Sequence, residues 1–444
     1  MCVLRLRHTK TSSTLNMKCR QRSRYIVVLP FLALLMVAES IGRAQPHKII
    51  ATINKIFKFK DIDEIVVCYK LHVARFGDSL RAFEKTLEDL LGDVGKIIAR
   101  NYIIAYNVRG SKIAAVTEFT KYAIDIFNQY IRGKLMLAKE VVKVVVIMIA
   151  SVILSVSLAA FISINVTALT SIMLLAVIAA LVLAIVVDIR IVVKWLHRKG
   201  SVVYQHLTYM LMIGLALLAL FYGYSYIVLS LSMASFATAL YINYYQLYLK
   251  SRELLDIKLL LREIGDIYAV TAKIAAPHEA INDPEKKLLV ATLKGVDVES
   301  QHAARGPFYE AVRKVAARLI YGGTYRHVKV VEEILESLAD TVKDIVRTIV
   351  QLDSMLLLVY IAAGLSGSII VNMFKANMVA EQSGAQLFFQ PNIPGGDMLS
   401  LLMLVNAVTV SITSMAVSYA IAGTFASPVP PLVLAVYTLY SLWQ

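Results

Sequence analysis

Long apolar blocks separated by two charged stretches set the pattern of this chain. A helix crossing a bilayer core about 30 Å thick needs roughly 20 apolar residues. Blocks of that order run over 144–164, 169–187, 204–222, 227–247, 349–373 and 399–422. Two shorter blocks flank them. One, 432–443, follows the breaker Ser427-Pro428-Val429-Pro430-Pro431; the other, 25–42, contains Pro30 and carries Glu39 near its end. Counting the short blocks, the pattern predicts about seven or eight membrane helices.

The charged stretches read as helical too. Phe83-Glu84-Lys85-Thr86-Leu87-Glu88-Asp89-Leu90-Leu91 places apolar residues three and four apart, and so does Val330-Val331-Glu332-Glu333-Ile334-Leu335-Glu336-Ser337-Leu338. Neither stretch shows alternating β-branched strands with hairpin turns. The fold expected is therefore all-α: a polytopic membrane protein with two cytoplasmic helical bundles, each followed by transmembrane hairpins. The divisions expected are a basic N-terminus with an uncertain first membrane segment (1–45), helical domain 1 (46–143), four transmembrane helices (144–249), helical domain 2 (250–347) and C-terminal transmembrane helices (348–444).

Composition supports the membrane reading. Hydrophobic residues make up 58% and charged ones only 17%, with a mean hydropathy of +0.65. Soluble domains carry about 25% charged residues, so this chain lacks the polar groups to cover itself in water. The net charge of +15 fits an excess of Lys and Arg on the inner side of a membrane, with anionic lipid or an acidic protein as partners; nucleic acid is not expected. The stretch 43–143 carries 18 Lys/Arg against 11 Asp/Glu, whereas 250–347 is nearly balanced at 16 against 15.

Charge also orients the spans. Arg190, Lys194, Arg198 and Lys199 form a short basic loop that stays inside. The loops at 165–167 and 222–225 carry no charge, and 377–398 carries Glu381 and Asp397 without Lys or Arg. Counting from the basic loop puts both charged stretches in the cytoplasm of a multi-pass cell-membrane protein. The N-terminus resists this scheme. Residues 1–25 hold seven Lys/Arg and should also stay inside, so 25–42 cannot cross once. It is read as a re-entrant or interfacial helix, a signal-like leader, or the product of a start site upstream of Met17.

The chain repeats itself. Arg75-Phe76-Gly77-Asp78-Ser79-Leu80 is echoed by Arg262-Glu263-Ile264-Gly265-Asp266-Ile267, allowing one inserted residue. Lys139-Glu140-Val141-Val142-Lys143 is matched by Lys343-Asp344-Ile345-Val346-Arg347. Each pentad leads into an apolar span, with cations at its ends one helical turn apart and able to reach lipid headgroups. The Gly-Asp pairs are expected to end one helix and cap the next.

Catalytic signatures are missing: GxxxxGK[ST], GxGxxG in a strand-to-helix context, GxSxG and HExxH do not occur. His278-Glu279 lacks the second His of a zinc-protease helix. Gly364-Leu365-Ser366-Gly367-Ser368 lies in an apolar span, where small residues serve close helix packing. The cysteines, Cys2, Cys19 and Cys68, form no CxxC and are expected as reduced thiols. Asp353 is the sole ionisable candidate within a span, expected at the interface beside Arg347. Asn372 and Asn406 are expected to hydrogen-bond between helices. No cofactor or metal is expected.

On this organisation, on Gly77-Asp78 and Gly265-Asp266, and on the Lys139 and Lys343 pentads, the chain resembles the type II secretion system F family over about residues 60–423. Its archaeal branch, the membrane platform of the archaellum and of archaeal type IV pili, is the nearest likeness. The resemblance implies a non-enzymatic protein that anchors a cytoplasmic secretion ATPase and relays its cycle to pilin or archaellin subunits. It also implies a homo-oligomer, a dimer being expected. Arg75, Arg81, Lys96, Arg100, Arg190, Lys194, Arg198 and Lys199 are the candidate docking cations, unless they simply hold the orientation and touch lipid. A transporter subunit is the alternative.

Overall fold

A computed structural model describes residues 23–42, 44–56, 60–159, 201–271, 323–382 and 395–443, with single positions at 178, 182, 187, 312, 315, 318 and 319. Every described element is helical. A 3-10 turn, Ser23–Val28, runs into α1 (Leu29–Ile41); a second, Pro46–Thr52, and the single turn Ile53–Ile56 follow. Then come α2 (Lys60–Phe76), α3 (Ser79–Leu91), α4 (Asp93–Arg109) and the long α5 (Lys112–Ala159). A hairpin joins α6 (Ser201–Phe221) to α7 (Ser225–Leu240), and a π-helical segment, Tyr241–Tyr245, carries α7 directly into α8 (Gln246–Thr271). The chain closes with α9 (Tyr325–Gln382), α10 (Gly395–Ala422) and α11 (Val429–Trp443).

Among the described residues three helical stretches are long and apolar enough to cross a membrane, Tyr204–Phe221 and parts of Ser225–Leu259 and Tyr325–Ala362, or four if a bent N-terminal pair counts as one span. Asn406–Ala422 and Val429–Leu439 are shorter apolar helices. Of the expected span 169–187 only positions 178, 182 and 187 are described, and the basic loop with Arg190, Lys194, Arg198 and Lys199 lies outside the described residues. The α6/α7 hairpin has the dimensions of a bilayer. Tyr204, Tyr241, Tyr245 and Tyr248 are exposed at one end and Phe221, Tyr222, Tyr224 and Tyr226 at the other, with exposed leucines between. Eighteen residues separate Tyr204 from Tyr222, about 27 Å of helix, which matches the spacing of two aromatic belts.

The N-terminal apolar segment lies inside protein. From Leu29 to Ser40 every residue of α1 is buried, against α5, the start of α9 and the 3-10 turns around it. A helix apolar all round must be buried on all sides, and neighbouring helices do that here. Its C-terminal end is fixed by polar contacts: Lys112 Nζ donates to Gly42 O at 2.9 Å, and Arg318 pairs with Glu39 at 2.9 Å while also donating to Ala38 O. At the other end the Tyr25 hydroxyl donates to the Glu64 carboxylate. The chain turns by 120° between 41 and 46. Of the readings left open for 25–42, a buried core helix of the polar region was not among them, because its lack of periodicity looks the same in lipid and in a core.

The two charged stretches pack on one another through long helices. α5 has 48 residues and α9 has 58, about 72 Å and 87 Å at 1.5 Å per residue. Their polar halves lie side by side, with Ser337 Oγ and Thr341 Oγ1 donating to Asn128 Oδ1 at 3.1 and 3.3 Å. α8 runs back along α9, where Ser251 Oγ donates to Ala339 O at 3.1 Å and Lys258 pairs with Glu336 at 2.9 Å. One hydrophobic core runs through both regions.

The repeat is unequal in local structure. Gly77 has φ +65°, a left-handed conformation that glycine adopts freely, and Asp78 caps α3 by accepting from Leu80 N at 2.9 Å. Gly265 and Asp266 instead lie within the uninterrupted α8. The pentads are alike: Lys139–Lys143 lies within α5 and Lys343–Arg347 within α9, with no break in either helix. Gly95 explains how closely α3 and α4 approach, since a Cβ there would collide with the Leu87 carbonyl.

Candidate functional site

Where the long helices meet the apolar region, a buried polar cluster gathers around Asp353. This aspartate, on α9, is almost wholly buried, while Arg347 is exposed. Its carboxylate does not turn towards Arg347: six residues turn a helix by about 600°, so the two side chains leave α9 in directions about 120° apart. The carboxylate is held by hydroxyls. Tyr244 donates to Oδ2 at 2.8 Å, Ser414 to Oδ1 at 2.6 Å and Ser427 to Oδ1 at 3.5 Å.

These partners come from irregular backbone. Tyr244 lies in the π segment, which widens one turn and brings both Ile242 and Asn243 to the buried side. Single π turns frequently mark functional positions. Ser427 lies in the non-helical break 423–428 between α10 and α11, which opens with Gly423 at φ +72°. Irregular backbone at membrane depth persists only where protein satisfies its polar groups. Here it does so with side chains from α6 and the π segment. Tyr209 donates to Ser427 O at 2.5 Å, and Asn243 donates to Ala426 O while accepting from Thr424 Oγ1 at 2.7 Å. Ser427 Oγ also meets Ser414 Oγ and caps α11 by accepting from Val429 N at 3.1 Å.

The cluster therefore ties α6, the π segment, α9, α10 and the start of α11 into one hydrogen-bonded unit. Chemically it is a carboxylate surrounded by hydroxyl donors, with no cation paired to it among the described residues. Nearby on α10, Asn406 is fully buried and neither amide atom has a partner, so the helix-to-helix bond expected of it is not made within the described residues. The side chains of Asn372, Gly364, Ser366, Gly367, Ser368, Gly265 and Asp266 lie outside those that can be described. Sequence reasoning found Asp353 but not Asn243, Tyr244, Ser414 or Ser427. The signal available was the polar and aromatic interruption Tyr241–Tyr245 inside an apolar span.

The described docking cations mostly serve the fold. Lys96 pairs with Glu88 at 3.2 Å and Arg100 with Glu84 at 2.9 Å, both bridging α3 to α4. Arg75 stacks its guanidinium 5.5 Å over the Phe76 ring. Arg81 is exposed on α3. At the membrane-facing ends of the polar helices, Lys143 pairs with Glu140 at 2.6 Å and Lys343 with Asp340 at 3.3 Å. A small polar cleft of about 80 Å³ lies between α5 and α9, lined by Asn128, Arg132, Ser337, Asp340, Thr341 and Asp344 among others.

Two further groups are buried in the polar region. His47 sits among aromatic rings, its ring nitrogens 2.9 Å from Ser79 Oγ and 3.2 Å from Tyr102 OH, with Tyr102 and Tyr106 edge-on to it. Burial, with Lys48 nearby, pushes its pKa down to about 4. Cys68 is disulfide-bonded, which corrects the expectation of free thiols. Its sulfur lies close to His72 and Asp89, but a sulfur in a disulfide is no thiolate ligand, and His72 is taken by Asp89 at 3.0 Å.

No family model matches the chain, and neither a curated protein nor a solved structure matches it.

Proposed function

We propose that this chain is a non-enzymatic membrane platform of an archaeal type IV pilus or archaellum-like assembly machine. It docks a cytoplasmic secretion ATPase and couples the ATPase cycle to pilin or archaellin subunits in the membrane. The observation that carries this reading is the continuity of α5, α7–α8 and α9 from the polar bundle into the apolar region. Continuous helices packed on one another move as stiff levers, so a force on the polar bundle reaches the membrane half undiminished by loops. The contact between the two charged stretches supports placing them on one side of the bilayer. The burial of α1 supports a first apolar segment that does not cross, and the basic loop Arg190–Lys199 supports that side being the cytoplasm. The Asp353 cluster is where the levers join the outer helices. In this reading the chain crosses the membrane several times, its girdles of Tyr and Phe marking the two interfaces.

The test is capture of the full-length protein from native membranes with a secretion ATPase, alongside filament assembly. Charge reversal at Arg190, Lys194, Arg198 and Lys199 is expected to weaken ATPase recruitment or invert the topology; both remaining unchanged would remove that loop from docking. Absence of any secretion ATPase from the captured complex would overturn the platform reading.

A second reading, a transporter subunit, is favoured by one observation: a buried carboxylate beside broken helices, as in carriers. The two readings part on Asp353→Asn. A carrier loses solute uptake, whereas a platform keeps its hydrogen-bonded unit largely intact and continues to assemble filaments.

A further inference from the structure

Cys68 and His72 stand one turn apart on α2, and Asp89 reaches them from α3. Together they bring a sulfur, a ring nitrogen and a carboxylate oxygen within 4.8 Å of one another. Cys68 is exposed by 2% and His72 by 8%, while Asp89 is half-buried at the rim. The group is held in place from outside. Lys85 pairs with Oδ1 of Asp89 at 3.2 Å, leaving Oδ2 to meet the His72 ring at 3.0 Å. Phe76 stacks on that ring with centroids 5.8 Å apart.

Cys68 is half of a disulfide, and the chain has two other cysteines, Cys2 and Cys19, to supply the second sulfur. The bond itself brings that sulfur to the same point. A disulfide is apolar and asks nothing of an imidazole or a carboxylate. Its reduction leaves something different: two thiols, an imidazole and a carboxylate converging on one small volume. Sulfur, nitrogen and oxygen ligands, four in number, are the donor set of a tetrahedral zinc site. The soft sulfurs disfavour magnesium and calcium. Ligands of a tetrahedral zinc lie about 3.5 Å apart, so small side-chain shifts admit the ion here.

We propose that reduction of the disulfide at Cys68 opens a zinc site made of the two released thiolates, His72 and Asp89, with Lys85 positioning the carboxylate. The steps balance. The disulfide takes two electrons and two protons from a dithiol reductant of the thioredoxin class, which is itself oxidised to a disulfide. The two thiols then release two protons as their thiolates bind Zn²⁺. The cross-link is thereby exchanged rather than lost. The inference needs only a reductant and does not rest on the platform reading.

The experiment uses the full-length protein in detergent, either oxidised or reduced with a phosphine under argon, loaded with Zn²⁺ or Co²⁺ and freed of unbound metal. The expected result is one zinc per chain in the reduced protein and none in the oxidised one. Cobalt is expected to give a sulfur-to-metal charge-transfer band, and zinc to slow alkylation of the freed thiols. Cys68→Ser should remove the band, and His72→Gln should weaken zinc binding by about tenfold or more, both at unchanged helical content. Substoichiometric zinc in the reduced wild-type protein, equal zinc with the disulfide intact, no charge-transfer band or an unchanged alkylation rate overturns the proposal. Zinc binding that both variants leave unaltered overturns it as well.

Discussion

Helices α1 and α6 are both predominantly apolar, yet α1 is buried by protein from Leu29 to Ser40 while α6 exposes Leu207, Leu211, Leu215, Leu217 and Leu218. The contrast extends to the regions they belong to. In the polar bundle, charges such as Glu84, Lys85 and Arg100 lie outside an apolar core. In the apolar region, leucine and tyrosine lie outside, and Asp353, Asn243, Ser414 and Ser427 are gathered within. One rule gives both arrangements: each surface matches its solvent, and the groups that solvent would not satisfy are placed inside.

The comparison is broken most severely at α1. Leu35→Ala should lower stability by about 3 kcal/mol, as expected for a large-to-small change in a packed core, whereas Leu215→Ala, on the exposed face of α6, should change it by less than about 0.5 kcal/mol. Thermal unfolding in detergent measures both, and equal effects would mean that α1 is not a core helix. Next comes the inverted core. Asp353→Ala leaves the hydroxyls of Tyr244, Ser414 and Ser427 without their acceptor and should cost about 2–3 kcal/mol; Asp353→Asn should cost clearly less.

Acid sharpens the contrast further, because His47 lies only in the polar bundle. Its folded pKa, about 4, is below the unfolded value near 6.5, so the unfolded chain binds the proton more readily between them. The stability is complete above pH 6.5 and is lost as pH falls towards 4, by about 2 kcal/mol between pH 7 and 5. His47→Gln should flatten that slope in a pH series of unfolding curves. A smaller effect is expected at the cap of α3, where Asp78→Ala should cost about 1 kcal/mol. The smallest is at the surface: Arg100→Ala, breaking its pair with Glu84, should stay within about 0.5 kcal/mol.

How far the sequence could be read follows the same division. Periodicity located α3 and the start of α9, and block length located α6, α7 and the apolar ends of α5 and α9, because each depends on residues close in the chain. The placement of α1 did not follow, since a short and mostly apolar helix looks alike in lipid and in a protein core. Asp353 was visible as an ionisable group in a span, but its surroundings were not. Tyr244, Ser414 and Ser427 are 109, 61 and 74 positions away from it in the chain. The Gly77 and Gly265 pairs look alike in sequence, but only Gly77 ends a helix with a capping residue following.

The π segment at 241–245 has a consequence for the whole helix from Ser225 to Thr271. An additional residue in one turn shifts the angular phase of everything beyond it by about 100°. Val228, Ser232, Ser235 and Ala239 hold one buried stripe above it, and Leu247, Ser251 and Leu254 hold another below. The extra residue keeps the two stripes in one angular phase, the upper one packed on α6 and α11 and the lower one on α9. Excising a single residue from Tyr241–Tyr245 would leave a regular helix and twist one stripe off its partners.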